Sequence, residues 1–222
     1  MNLCLFDLDH TLLPLDSDHA WGEFVISLGW VDAAAFRDGN DAFYARYREG
    51  RLDIDAYIAF ATAPLRGRTG EELAAAHRWF MKTVIEPAIR PAALDLVASH
   101  RSRGDRLALV TSTNDFITGP IAAAFEIDAL IATRLERDPE RRFTGRIEGT
   151  PAFREGKVAR VGQWLAEGGE SWTDFDRIAV YSDSLHDLAL LERATEPVAT
   201  NPAPELEALA RERGWRIMKL FE

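Results

Sequence analysis

The chain has 222 residues, 47% of them apolar, with ten prolines and a formal charge of −10. That suits one mid-sized domain, or a core with a modest insertion, and supplies enough apolar surface to bury a core, which excludes a disordered chain. Acidic residues outnumber basic ones 36 to 26, which argues against a general nucleic-acid binder, because phosphate backbones are held mainly by Lys and Arg. A small phosphorylated ligand stays open, provided a metal ion and a local lysine offset the field. The single cysteine, Cys4, excludes an intrachain disulfide, and with no basic-then-apolar leader ahead of it a cytoplasmic location is expected. Cys4 lies in the apolar run Leu3-Cys4-Leu5-Phe6 and reads as core filling. No apolar stretch approaches the ~20 residues needed to span a bilayer, so the protein is expected to be soluble, without a membrane partner.

A first strand is expected over Leu3 to Phe6, followed at once by polar Asp7-Leu8-Asp9-His10-Thr11. From about Pro14 to Pro87 the pattern is helical throughout. Trp21, Phe24, Val25 and Leu28 repeat at helical spacing, with Gly29 as a stop. Phe36, Phe43, Tyr44 and Tyr47 continue one face to Gly50, and Asp53 is placed to cap a third helix carrying Tyr57, Ile58 and Ala61. Thr69-Gly70-Glu71-Glu72 is a capping-box pattern ahead of a helix with Leu73, His77, Phe80, Met81 and Val84. From Pro91, at the first turn of a helix ending at Gly104, helices alternate with apolar runs. The expected strands are Leu107 to Val110, Leu130 to Ala132, Ile178 to Tyr181, Pro197 to Ala199 and Arg216 to Met218. Helices are expected near Phe116 to Phe125, Gly156 to Ala166, Leu185 to Glu192 and Pro204 to Arg213, with an irregular hairpin over 135–150 turning at Gly145 and Gly149. Such alternation predicts an α/β fold, a doubly wound parallel sheet covered on both faces. The expected division is a Rossmann-like core, residues 1–13 and 89–222, with an all-helical cap, residues 14–88, inserted after the first strand.

In such sheets ligands bind beyond the carboxyl ends of the strands. Asp7 and Asp9 follow the first strand at i and i+2, so alternation points both to one side. Thr111-Ser112-Thr113-Asn114 follows the second and reads as an anion cradle at the mouth of a helix. Lys157 begins the helix after the hairpin, and Asp183 and Asp187 follow the 178–181 strand. Carboxylates converging on one pocket repel, so a hard divalent cation is the expected companion, and magnesium favours oxygen ligands and substrate phosphate. Together these are the parts of a phosphoryl-transfer site.

The segment Phe6-Asp7-Leu8-Asp9-His10-Thr11-Leu12 resembles the first motif of the haloacid-dehalogenase-like phosphatases. Thr111 after an apolar strand resembles the second, Lys157 the third, and Asp183 with Asp187 the fourth. The helical insertion and the run Thr144-Gly145-Arg146-Ile147-Glu148-Gly149 resemble the phosphoserine-phosphatase-like branch, so the resemblance covers essentially the whole chain. It departs in the fourth motif, where Ser182 replaces a glycine and His186 an asparagine. The resemblance implies a magnesium-dependent phosphatase acting on a small phosphorylated metabolite. Asp7 would be the nucleophile that becomes an aspartyl phosphate, and Asp9 the acid and base. Asp7 and Asp183 would bind Mg2+ by side chain and Asp9 by its carbonyl. Asp187 would hold a metal-bound water, while Thr111, Ser112 and Lys157 would grip phosphate.

Plainer readings compete. Asp7 and Asp9 taken alone could end a strand in solvent, Asp187 could be a first-turn helix charge, and Lys157 a solvated surface lysine. His10 and His186 are expected beside the site or facing solvent rather than on a metal. Trp21, Phe43, Tyr44 and Tyr47 are expected in the cap core. Asp16, Ser17, Asp18 and His19 either cap the first cap helix or floor the substrate site, with Asp16 and Asp18 the candidate substrate contacts. Phosphoserine phosphatases meet the substrate carboxylate with an arginine, and the matching position here is Ala61, unless Arg66 or Arg46 reaches the site. The cap therefore suits a small ester such as histidinol phosphate, an amino-alcohol phosphate, rather than phosphoserine. Two other functions fit the same residues, a phosphotransferase to an alcohol acceptor and a silent phospho-ligand binding protein, although a binder has no need of Asp9. A dehalogenase needs neither magnesium nor the second aspartate.

Overall fold

The apolar runs become strands because each alternates its side chains between two helical layers. The computed structural model describes residues 1–221. Strand β1 (Asn2–Phe6) leads into helices α1 (Ser17–Ser27), α2 (Ala33–Arg48), α3 (Ile54–Ala61), α4 (Gly70–Phe80) and the single turn α5 (Glu86–Ala88). Next come α6 (Pro91–Ser102), β2 (Arg106–Asn114), α7 (Asp115–Ala124), β3 (Ala129–Thr133) and the strands β4 (Leu135–Arg137) and β5 (Phe143–Ile147). The chain finishes with α8 (Glu155–Glu167), β6 (Arg177–Ser182), α9 (Leu188–Leu191), β7 (Glu196–Thr200), α10 (Pro204–Arg213) and β8 (Arg216–Met218).

Six strands form one parallel sheet in the order β3-β2-β1-β6-β7-β8, and β4 and β5 pair antiparallel apart from it. Leu5 of β1 lies level with Ala108 of β2 and Val180 of β6. Leu3 and Leu5 face the layer of α8 and α10, among Val161, Leu165 and Leu206. Cys4 and Phe6 face the other way, into a cluster with Val97 of α6 and Ile117 of α7 that continues to Trp21 and Phe80. The winding reverses between β1 and β6, so their carboxyl ends flank the crevice where such sheets bind ligands. Among the described residues no helix is long and apolar enough to cross a membrane.

The helix starts behave as their residues dictate. Asp53 caps α3 by accepting from Ala56 N (3.0 Å). Thr69 and Glu72 form a reciprocal box on α4, at 3.2 Å and 2.8 Å. Three elements differ from expectation. α4 gives way after Phe80 to a π turn, Met81–Ile85, ahead of Pro87, whose ring cannot follow a regular turn and which has no N–H to donate. The 185–192 helix splits into a 3-10 turn, Leu185–Asp187, and the short α9. β2 runs on to Asn114 with an irregularity in its pairing after Val110.

Gly156, in the first turn of α8, is fixed by sterics. A Cβ there would lie 2.1 Å from the Pro151 carbonyl oxygen, and this contact sets where the next residue, Lys157, enters the interior. Gly156→Ala should therefore destabilise the protein by ~1–3 kcal/mol or more, the usual scale of overpacking. A urea denaturation midpoint unchanged by the substitution would contradict this account of the turn.

Candidate active site

β1 continues one step past its end, where Asp7 N donates to Tyr181 O of β6 (2.9 Å). The chain then coils back, with the amides of Thr11, Leu12 and Leu13 all donating to Leu8 O at 3.2, 2.8 and 3.0 Å. His10 takes a left-handed φ of 58° in this turn. Asn201, at the end of β7 and itself left-handed at φ 46°, locks the loop. Its Nδ2 donates to His10 O and Thr11 O (3.0 Å each), and its Oδ1 accepts from Leu220 N (2.7 Å).

This places Asp7 in a buried charge cluster. Lys157 Nζ donates to Asp7 Oδ1 and to Asp187 Oδ2, each at 2.8 Å. Nζ also lies 2.7 Å from Asp187 Oδ1, an ion-pair contact without a directed hydrogen bond. Thr11 Oγ1 donates to Asp7 Oδ2 (3.0 Å) and reaches Asp183 Oδ1 (3.4 Å). Ser182, in place of the glycine, donates to Asp187 Oδ2 at 2.9 Å and so supports that carboxylate. Burial works against charge on Lys157, but Asp187 and Asp7 outweigh it and hold the ammonium pKa above its ordinary value. Burial and the neighbouring Asp187 push Asp7 up to about 7 even against Lys157. Asp183 is raised well above the usual range by burial, Asp7 and Asp187.

Lys157 thus serves Asp7 and Asp187, while Asp183, joined to Asp7 through Thr11, has no ammonium of its own, so full ionisation of the three would leave two negative charges for a divalent cation to offset. The donors are all oxygen, which suits magnesium or calcium rather than a softer ion. Among the described residues no three His, Cys, Asp or Glu side chains are grouped to hold a metal by themselves. Thr11 Oγ1 lies between Asp7 and Asp183, the two side chains that the family resemblance gives to a cation.

Asp9 is held separately. Its Oδ1 accepts from Ser17 N at the start of α1 (2.8 Å), and its Oδ2 from Thr113 Oγ1 of β2 (2.7 Å). Burial and Asp16 raise it to about 6, against the pull of those donors. Asp7 and Asp9 both line one cavity, with Thr111, Ser112 and Thr113. Thr111–Asn114 end β2 directly before α7, at the mouth of that helix, and Asn114 caps it by accepting from Ile117 N at 3.2 Å.

The cavity's other wall comes from the helices after β1. Asn40, Phe43, Tyr44 and Tyr47, at i, i+3, i+4 and i+7 of α2, form one face along it. This corrects the placing of those aromatics in a cap core, whereas Trp21 is indeed buried, stacked on His77 at 5.6 Å. Asp16 caps α1 by accepting from His19 N (2.8 Å), and Asp18 is buried two residues on; both line the cavity. No Lys or Arg of the described residues lines it. Arg66 donates to Ala59 O (3.0 Å) and lies against Gly145, and exposed Arg46 sits over the Phe43 ring at 5.6 Å. His10 meets the Tyr44 hydroxyl at 3.3 Å, and His186 packs its edge against Tyr47 with centroids 4.6 Å apart.

Four contributors carried little sequence signal as site residues. Thr113 lay within a polar run, Ser182 looked like a defect in a motif, and Asn40 lay on a helix face. Asn201 could have been suspected from Asn-Pro directly after a strand, since asparagine tolerates left-handed backbone.

Comparison with known proteins agrees with this arrangement. The haloacid dehalogenase-like hydrolase family matches residues 4–192. A histidinol-phosphatase of Neisseria meningitidis serogroup C (strain 8013) is 47% identical, covering 98% of each chain. The crystal structure of a protein of unknown function from Bordetella pertussis Tohama I, 49% identical, superposes with a TM-score of 0.94 over 99% of both chains. A substrate-bound phosphoserine phosphatase, 17% identical, shares the fold with a TM-score of 0.66 over 99% of this chain and 92% of that one. The chain belongs to the haloacid dehalogenase-like hydrolase family and is one of its phosphatases.

Proposed function

We propose that this phosphatase is magnesium-dependent and cleaves a small phosphomonoester through an aspartyl phosphate on Asp7. Residues 14–88 would act as the cap over a core of 1–13 and 89–222. The observation that carries the reading is the pairing of two differently held acids on one cavity. Asp7 is fixed by Lys157 and Thr11, and Asp9 by Ser17 and Thr113.

Asp7 attacks phosphorus, forming an O–P bond as the ester O–P bond breaks. The leaving alkoxide takes the proton held by Asp9. In the second half Asp9 removes a proton from water, the water oxygen attacks phosphorus, and the Asp7 carboxylate departs from inorganic phosphate. A carboxyl raised to about 6 suits both duties, since both protonation states are accessible near neutral pH. Lys157 and the Thr111 and Ser112 groups hold phosphate oxygens where charge develops. Bound at Asp7, Asp183 and the Asp9 carbonyl, magnesium would offset phosphate charge, with Asp187 supporting a water ligand. The helices over the cavity exclude bulk water, which strengthens these interactions.

An aromatic and acidic wall without Lys or Arg supports an amine-bearing substrate, and the relative named histidinol-phosphatase supports histidinol phosphate itself. A small metabolite rather than nucleic acid agrees with the charge of −10, and the buried free thiol of Cys4 agrees with a reducing, cytoplasmic setting.

Hydrolysis of p-nitrophenyl phosphate should vanish in excess chelator and return with added Mg2+; full activity in chelator would remove the metal from the mechanism. Asp9→Asn should lower kcat by roughly 10²–10⁴-fold, the scale of general acid–base catalysis, and by less for nitrophenyl than for alkyl esters. Equal losses on both would sink the role given to Asp9. Histidinol phosphate should exceed phosphoserine in kcat/KM, because the serine carboxylate finds no cation in the lining. The reverse preference would show this wall to be misread.

A further inference from the structure

The mechanism leaves one buried acid of the cavity unused. Asp18, on the face of α1 toward the strand ends, is only 8% exposed and lines the cavity. Two neutral groups face it, the Asn114 amide, with Nδ2 3.5 Å from Oδ1, and the Tyr57 hydroxyl of α3. Burial and the nearby charges of Asp16 and Asp9 all oppose its ionisation, so its pKa stands well above the carboxylate range. A buried carboxylate with only neutral donors is costly until a cation reaches it. No Lys or Arg of the described lining supplies one. Arg48, within electrostatic reach of Tyr44 and His10, is exposed and stands outside the lining.

Asp16 differs in kind. Its Oδ1 is spent on His19 N as the cap of α1. Beside it His19 also lines the cavity, with Nε2 turned to Asp41 Oδ1 (2.9 Å), and Asn40 Nδ2 donates to His19 O (3.1 Å), leaving Asn40 Oδ1 as an acceptor. Asn40 fits there because Gly22 of α1 has no side chain; a Cβ would come within 2.4 Å of Nδ2.

We propose that Asp18, with Tyr57 and Asn114 beside it, binds the ammonium group of the substrate, while Asp16 serves as a helix cap. The inference rests on the phosphatase reading of the same cavity. Asp7 anchors the phosphoryl end, Asp18 the amine end, and the aromatic face of α2 lies along the cavity with them. The substrate class is then an amine-bearing phosphomonoester without a carboxylate beside the amine.

The test compares kcat/KM for histidinol phosphate with its deaminated counterpart in wild type, Asp18→Asn and Asp16→Asn. The wild type should favour the amine by ~10²-fold, the usual loss when a buried charge is left without its partner. Asp18→Asn should bring this ratio near one, whereas Asp16→Asn, which keeps an oxygen to cap α1, should leave it unchanged. The same selectivity is read without turnover as the Kd of L-histidinol against its deaminated analogue by calorimetry. A ratio retained in Asp18→Asn, absent in wild type, or lost in Asp16→Asn would overturn the assignment. Amine-selective binding that depends on Asp18, in a protein that releases phosphate from no ester, would overturn the phosphatase reading and uphold Asp18.

Discussion

The site depends on one ammonium group held between two carboxylates that the chain brings from far apart. Lys157 is 150 residues from Asp7 and 30 from Asp187. Removing one partner from such a buried set typically costs 3–5 kcal/mol, because the remaining charges lose compensation without regaining water. Much local structure serves that contact. Gly156 lets α8 start against the Pro151 carbonyl, Ser182 holds the far carboxylate, and Thr11 holds the near one. Even so the cluster stays under-neutralised, which leaves it receptive to a divalent cation and to phosphate.

The second constraint is that Asp9 is held across elements. One oxygen is held by the backbone of α1 and the other by β2. The Asp9 carboxylate is therefore fixed by the contact of α1 with the strand ends. Tyr47 against His186, and Arg154 donating to Gly50 O, tie the end of α2 to the turn carrying Asp187 and to the start of α8, which carries Lys157.

Much of this was legible in the sequence because its causes are local. Alternating apolar strands give the sheet, Asp53 and Thr69 give their caps, and polar residues directly after strands mark the site. Other features depend on contacts that no local pattern encodes. Thr113 meets Asp9 across 104 residues, and Asn201 secures the Thr11 carbonyl across 190. The face of α2 was misassigned for a different reason. Phe43, Tyr44 and Tyr47 give the same periodicity whether they meet a core or a cavity, and only the packing of α2 over the strand ends separates the two.

The cavity's two ends make opposite electrostatic demands. At the strand ends the Thr111 and Ser112 hydroxyls line the cavity and the Lys157 ammonium backs Asp7, which suits a doubly charged phosphate. At the α1 end Asp18, with Asp16 nearby, suits a positive charge. A ligand negative at one end and positive at the other is favoured along this gradient, whereas a carboxylate beside the amine would sit against Asp18 in a low-dielectric space. Discrimination of this kind comes as much from repelling the wrong substrate as from attracting the right one. Under the proposed reading no arginine near Ala61 is needed, because the described lining offers a second carboxylate no Lys or Arg.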